Sequence, residues 1–136
     1  MNNSMIVTLS GGKRVTASYD GFEIATDQPV KDGGGGTAPQ PFDLFLASLA
    51  TCAAFYVLRF CQKRDIPTDG VRVIEGWERN DKGRIETITL RIEVPETFPE
   101  KYHGALVRAA NLCSVKKTIE DPPEFVAETV AVPTSR

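Results

Sequence analysis

The stretch Leu44–Leu58, LFLASLATCAAFYVL, decides the fold. Its fifteen residues carry no charge, and Asp43 and Arg59 close it at the two ends. Pro41 suits the first turn of a helix, where a missing N–H leaves no bond unmade. Pro67 lies beyond the far end, so a helix is expected from 41 to about 64. The apolar run spans about 22 Å as a helix, short of the ~30 Å hydrocarbon core of a bilayer. It reads as a core helix, apolar nearly all round and buried on most sides.

Upstream, residues 5–9, 14–19 and 22–26 alternate or run apolar as strands. Gly11-Gly12 and Asp20-Gly21 punctuate them, the second as a hairpin turn. Residues 27–41 hold four consecutive glycines and three prolines and read as a flexible loop. Gly33–Gly36 lacks the Lys-Ser/Thr of a phosphate loop, so no nucleotide cradle is expected. Downstream, 71–79 and 84–94 form a strand pair around Asn80–Gly83, and position 86 breaks the alternation, predicting a bulge near 86–87. A helix begins near Phe98 with Ala105, Leu106, Ala109, Ala110, Leu112 and Cys113 on one face. A short helical piece ends at Pro122-Pro123, and 125–132 reads as a last strand. The order β-β-β-α-β-β-α-(α)-β is an antiparallel α+β fold around one apolar helix.

The chain of 136 residues is read as one domain, 1–136, large enough to need no disulfide staple. Its net charge of −2 argues against a nucleic-acid partner or an anionic membrane surface. The N-terminus has no basic segment followed by an apolar one, so a cytoplasmic location is expected. Three cysteines, an odd number, then point to packing or thiol chemistry rather than structural disulfides.

Each cysteine has two readings. Cys61 lies nine residues after Cys52, half a turn out of phase on one helix, so the two cannot bond and Cys61 is a packing residue. Cys52 sits about three turns in, beyond reach of the helix dipole, so its thiolate would need a neighbouring cation or donor. Otherwise it is a core residue among the small neighbours Ala47, Ser48, Ala50, Thr51, Ala53 and Ala54. Cys113, sixty-one positions later, either ends an apolar face or sits at a helix junction whose second N-terminus favours its own thiolate. His103, the sole histidine, reads as a surface residue. The cysteines and His103 lack the close pairs of zinc sites, so no metal or cofactor is expected. Phe42, Phe45, Phe55, Tyr56, Trp77 and Tyr102 read as core or interface aromatics.

The run from Gly33 through Thr37-Ala38-Pro39-Gln40-Pro41-Phe42-Asp43-Leu44 to Cys52, with Leu112-Cys113-Ser114-Val115 about sixty residues on, resembles the OsmC/Ohr family across essentially the whole chain. The resemblance implies an OsmC-like fold, with antiparallel sheets wrapped around long central buried helices in an intertwined homodimer. It implies a thiol-dependent organic hydroperoxide reductase serving oxidative or osmotic stress defence. Cys52 would be the peroxidatic residue, oxidised to a sulfenic acid, and Cys113 the resolving one, closing a disulfide that a dithiol reductant reopens. Family peroxidases place a Glu directly after the Pro, paired with an Arg of the N-terminal sheet that activates the thiolate. Here Phe42 follows Pro41, and the acid is Asp43, 100° further round the helix. Lys13 and Arg14 are the cations of the N-terminal hairpin. The candidate catalytic set is therefore Cys52, Cys113, Asp43 and Arg14. The variant pattern resembles the YhfA-like branch. The alternative is a non-enzymatic dimer that binds a small hydrophobic ligand or senses redox state.

Overall fold

The chain is described by a computed structural model over residues 3–134. Strands β1 (Ile6–Gly11), β2 (Arg14–Tyr19) and β3 (Phe22–Thr26) form an antiparallel sheet in that order. The β2–β3 turn puts Asp20 at φ 45° and Gly21 at φ 81°. Two successive positive φ values match the right-handed twist of a two-residue hairpin, as the Asp-Gly pair predicts. Strands β4 (Arg72–Arg79) and β5 (Ile85–Glu93) form a second antiparallel sheet, with Trp77 opposite Ile88 and Val73 opposite Ile92. Glu78 pairs with Thr87 but Arg79 with Ile85, so Glu86 is the extra residue of the predicted bulge.

Helix α1 runs Pro41–Gln62, with Pro41 opening it as expected. Its 22 residues make about 33 Å of helix, so length and composition alone do not separate it from a membrane span, contrary to the shorter reading from the apolar run. Within the chain, one side of α1 packs against α2 (His103–Ala110), α3 (Ser114–Glu120) and β4. The core joins Ala53, Val57 and Cys61 of α1 to Phe98, Leu106 and Ala110, with Leu90 and Ile92 of β5 around them.

Two expectations need correction. The helix is not buried on most sides within one chain. Leu46, Leu49, Ala53, Val57 and Cys61 form a single buried stripe, spaced by three and four residues, while Phe42 and Phe55 stay about half exposed. Residues 125–132 form no strand within the chain. Phe125 is 85% and Val130 70% exposed, so this apolar segment has no partner edge here. The sheet β1–β3 is similarly bare, with Ile6, Val7, Leu9 and Phe22 exposed and little contact with the helices. A single chain of this sequence leaves three apolar surfaces uncovered.

The glycine-rich loop is built rather than slack. Asp27, 1% exposed, accepts from Gln28 N–H at 2.7 Å, from Thr37 N–H at 3.1 Å and from the Thr37 hydroxyl at 2.6 Å. Gly34 packs so tightly that a Cβ there would stand 2.0 Å from the Gln28 carbonyl oxygen. The Thr37 hydroxyl first, then the Thr37 and Gln28 amides, hold the Asp27 carboxyl at about 2, against burial pushing the other way. A carboxyl lowered on folding stabilises the folded state above its unfolded value near 3.8 and stops doing so as pH falls toward 2. Wild-type protein is therefore expected to lose hydrogen-exchange protection at Thr37 between about pH 4 and 2, whereas Asp27→Asn starts weaker at neutral pH and shows little further loss in that window. Equal pH profiles for the two proteins would refute the anchoring role.

Candidate active site

The site lies where α1 meets the junction of α2 and α3. Helix α2 ends at Ala110, and Asn111 and Leu112 turn the chain. Cys113 then caps α3, its sulfur accepting from Lys116 N–H at 3.4 Å. Cys113 is 2% exposed, and its thiol faces the Leu49 carbonyl of α1 at 4.0 Å. Cys52, one helical step from the buried stripe, is half-buried, with Sγ 3.7 Å from Ser114 Oγ. The Cys113 side chain is near enough to the Cys52 sulfur to favour its ionisation. Two cysteines far apart in sequence thus meet, and Cys61, fully buried on the stripe, stands apart from them.

The two thiols are pushed in opposite directions. Burial opposes ionisation of Cys52, but the Val115 amide, the Cys113 thiol, and the Ser114 hydroxyl and amide together outweigh it and draw its pKa below the ordinary thiol value. At Cys113, burial dominates and the Cys52 thiolate adds to it, so its pKa is raised despite the Lys116 and Val115 amides. The amides at the start of α3 were expected to favour the Cys113 thiolate. They act on both thiols, Lys116 and Val115 on Cys113 and Val115 and Ser114 on Cys52, and burial outweighs them only at Cys113. Burial raises Cys61 as well, opposed by Arg64. This pattern suits one nucleophilic thiolate beside one protonated thiol.

The other two members of the candidate set lie elsewhere within the chain. Asp43 is exposed in the first turn of α1, about 13 Å along the helix from Cys52. Arg14 is exposed on β2 and donates to the Ser10 carbonyl at 3.0 Å, across its own hairpin. The groups favouring the Cys52 thiolate are hydrogen-bond donors of the α2–α3 junction, with no cation among them in the described residues. Ser114 and the Val115 amide were missed in the sequence. Their signal was present: a Cys followed by Ser at a helix start reads as a cap whose next residues present free amides. His103 opens α2 at the surface against Phe98, ring centroids 6.0 Å apart.

A cavity of about 310 Å³ opens beside the pair. Leu49, Ile88, Leu90 and Ile119 give it apolar walls, and Cys113 lines it. Its polar side is Asn111 and Lys116, whose Nζ donates to Asn111 Oδ1 at 2.9 Å.

Comparison with known proteins bears on the family and the fold. A family model described as OsmC-like protein matches residues 33–128. No curated protein matches. A solved structure from Psychrobacter arcticus 273-4, named for an osmotic stress and detoxification response, is 26% identical, covering 87% of this chain and 88% of that one with a TM-score of 0.73. An OsmC-like protein from Mycoplasma pneumoniae is 16% identical over 90% of this chain and 89% of its own, TM-score 0.69. An organic hydroperoxide resistance protein from Legionella pneumophila is 21% identical over 85% and 88%, TM-score 0.56. The latter two likenesses speak to the fold.

Proposed function

Because the chain belongs to the OsmC-like protein family, whose model spans residues 33–128, we propose that it is a thiol-dependent organic hydroperoxide reductase. The observation that carries this reading is the meeting of Cys52 with Cys113 at the start of α3, where the Ser114 and Val115 groups favour the Cys52 thiolate. Cys52 attacks the terminal peroxide oxygen, the O–O bond breaks, and the alcohol leaves with a proton. The sulfenic acid formed on Cys52 meets the Cys113 thiol. Sulfur bonds to sulfur and water departs, carrying the Cys113 proton. A dithiol reductant returns both cysteines to the reduced state.

The reading includes a homodimer, supported by the exposed apolar surfaces of α1, β1–β3 and 125–132. A second copy would give the unpaired 125–132 segment a strand partner. A solution mass of twice one chain is expected.

The deciding experiment is consumption of cumene hydroperoxide with a small dithiol. Wild type should turn over repeatedly and Cys52→Ser should fall to the uncatalysed rate. Equal consumption by the two proteins would remove the reading. A second reading, a ligand-binding dimer without turnover, is favoured by Phe42 where the family peroxidases carry Glu and by the neutral character of the groups that, among the described residues, act on Cys52. The pH profile of Cys52 alkylation separates them. Catalysis predicts a midpoint below the ordinary thiol value of about 8.5, and packing alone predicts one at or above it.

A further inference from the structure

Glu75 stands in the middle of β4, away from the cysteine pair in sequence and without a part in their chemistry. Its Oε2 is buried and, among the described residues, has no hydrogen-bond partner. Leu90 of β5 stands directly opposite, so the two side chains share one face of the sheet with the flanking pairs Val73–Ile92 and Trp77–Ile88. Leu90 and Ile92 pack onto the core around Ala53 and Val57, so that face is turned to α1. We propose that Glu75 is a pH-operated latch: neutral, it lets the β4–β5 sheet close on α1, and ionised, it draws water between them and uncovers Cys113. The latch is independent of the reductase reading.

The surroundings favour the neutral acid. Residues 44–58 of α1 bring no charge, and Asp43 and Arg59 lie outside that stretch. Arg72, Arg91 and Glu93 pair with one another on the other face of the sheet. Arg79 donates to the Gly83 carbonyl at 2.8 Å. In the cavity beyond Leu90, Lys116 is bonded to Asn111, and the Cys113 thiol is the other titratable group. In the groove on the other side of Leu90, His103 is accompanied by Glu93. Burial pushes the Glu75 carboxyl above its ordinary value of 4.5. A carboxyl raised on folding leaves the folded state unpenalised below its unfolded value and weakens it as pH climbs from there through the folded value. The neutral acid leaves one hydrogen bond unmade, whereas the ionised one is a charge without a partner against an apolar helix, which costs far more.

That cost falls on a weak joint. A two-stranded sheet is marginal by itself, and β4–β5 is seated on the helices chiefly through α1. Ile88 and Leu90 of this sheet wall the cavity together with Leu49 and Cys113. Lifting the sheet from α1 therefore opens a path to a sulfur that is 2% exposed when the sheet is closed.

The test compares the protein with Glu75→Gln, which keeps the shape of the side chain and stays neutral at every pH. Thermal melts come first: from about pH 4.5 to about pH 8 the variant should gain about 4 °C in Tm relative to the protein with Glu75. The second readout is a brief pulse of N-ethylmaleimide in a Cys52→Ser background, with Cys113 labelling followed by peptide mass. Labelling should be equal with and without Glu75→Gln at about pH 5, and about threefold faster with Glu75 in place at about pH 8. The ratio at each pH removes the titration of the thiol itself, and a carboxylate that acted only through its charge would slow the labelling instead. A Tm difference that stays constant with pH overturns the proposal. So does a variant that loses stability relative to Glu75 as pH rises, because the ionised carboxyl would then be held by a cation. Cys113 labelling at about pH 8 that is equal, or slower with Glu75 in place, overturns it as well.

Discussion

Cys113→Ser is expected to consume about one equivalent of hydroperoxide per chain in a burst and then to stall, with steady turnover at least about tenfold below wild type. Cys52 keeps the Val115 amide and the Ser114 groups that favour its thiolate, so the attack on peroxide survives. The sulfenic acid then has no neighbouring thiol. Cys61 cannot substitute, being fully buried on another face of α1. Loss of fold is not the expected cause, because serine is a favoured residue at the cap position that Cys113 occupies. Dimedone should label the stalled protein at Cys52, and a mass map of the peroxide-treated variant reads this directly. Undiminished steady turnover would remove Cys113 from the resolving role while leaving Cys52 as the nucleophile.

Gly34→Ala is expected to destabilise the chain by about 3 kcal/mol, since overpacking against backbone is rarely relieved cheaply. The added Cβ would sit 2.0 Å from the Gln28 carbonyl oxygen and 2.5 Å from its carbon, and neither belongs to a flexible side chain. Relief requires the backbone of 27–36 to move, which breaks the Gly36 N–H to Gln28 carbonyl bond of 3.0 Å and disturbs the Asp27 anchor. For a domain of this size that corresponds to a fall in Tm of roughly 10–15 °C. Gly76→Ala serves as the control, since nothing lies within 4 Å of the place its methyl would take and strand glycines gain from a side chain. Thermal melts of the two variants decide the matter. A Gly34→Ala melt within a few degrees of wild type would mean that the loop can open without cost.

The loop also shows why part of the fold was illegible beforehand. Four glycines and three prolines leave room for no strand and only one short helical turn, the 3-10 helix Val30–Asp32, before α1 opens at Pro41. Flexibility does not follow from irregularity. A buried carboxylate at Asp27, gathering donors from Gln28 and Thr37, gives a structureless segment one conformation. Nothing in local composition marks Asp27 apart from other loop acids. In contrast, the Glu86 bulge and the Asp20-Gly21 turn are local events, written in the two-residue alternation and in backbone preference, and both were readable.

By itself the sequence determined the antiparallel α+β order as far as α3, the course of α1 from Pro41, and the separation of Cys61 from Cys52, because each depends on the period of one element. It also carried the Cys52–Cys113 pair, through resemblance rather than through spacing. Only the tertiary structure decided which side of each thiol meets a donor. The amides of α3 act on a sulfur sixty residues upstream, and the residue that caps that helix is the more enclosed of the two. Such a difference arises from packing between α1 and the α2–α3 junction, and no pattern within either segment encodes it. The fate of 125–132 has the same cause: strand propensity is local, but a strand exists only where an edge stands ready to pair with it.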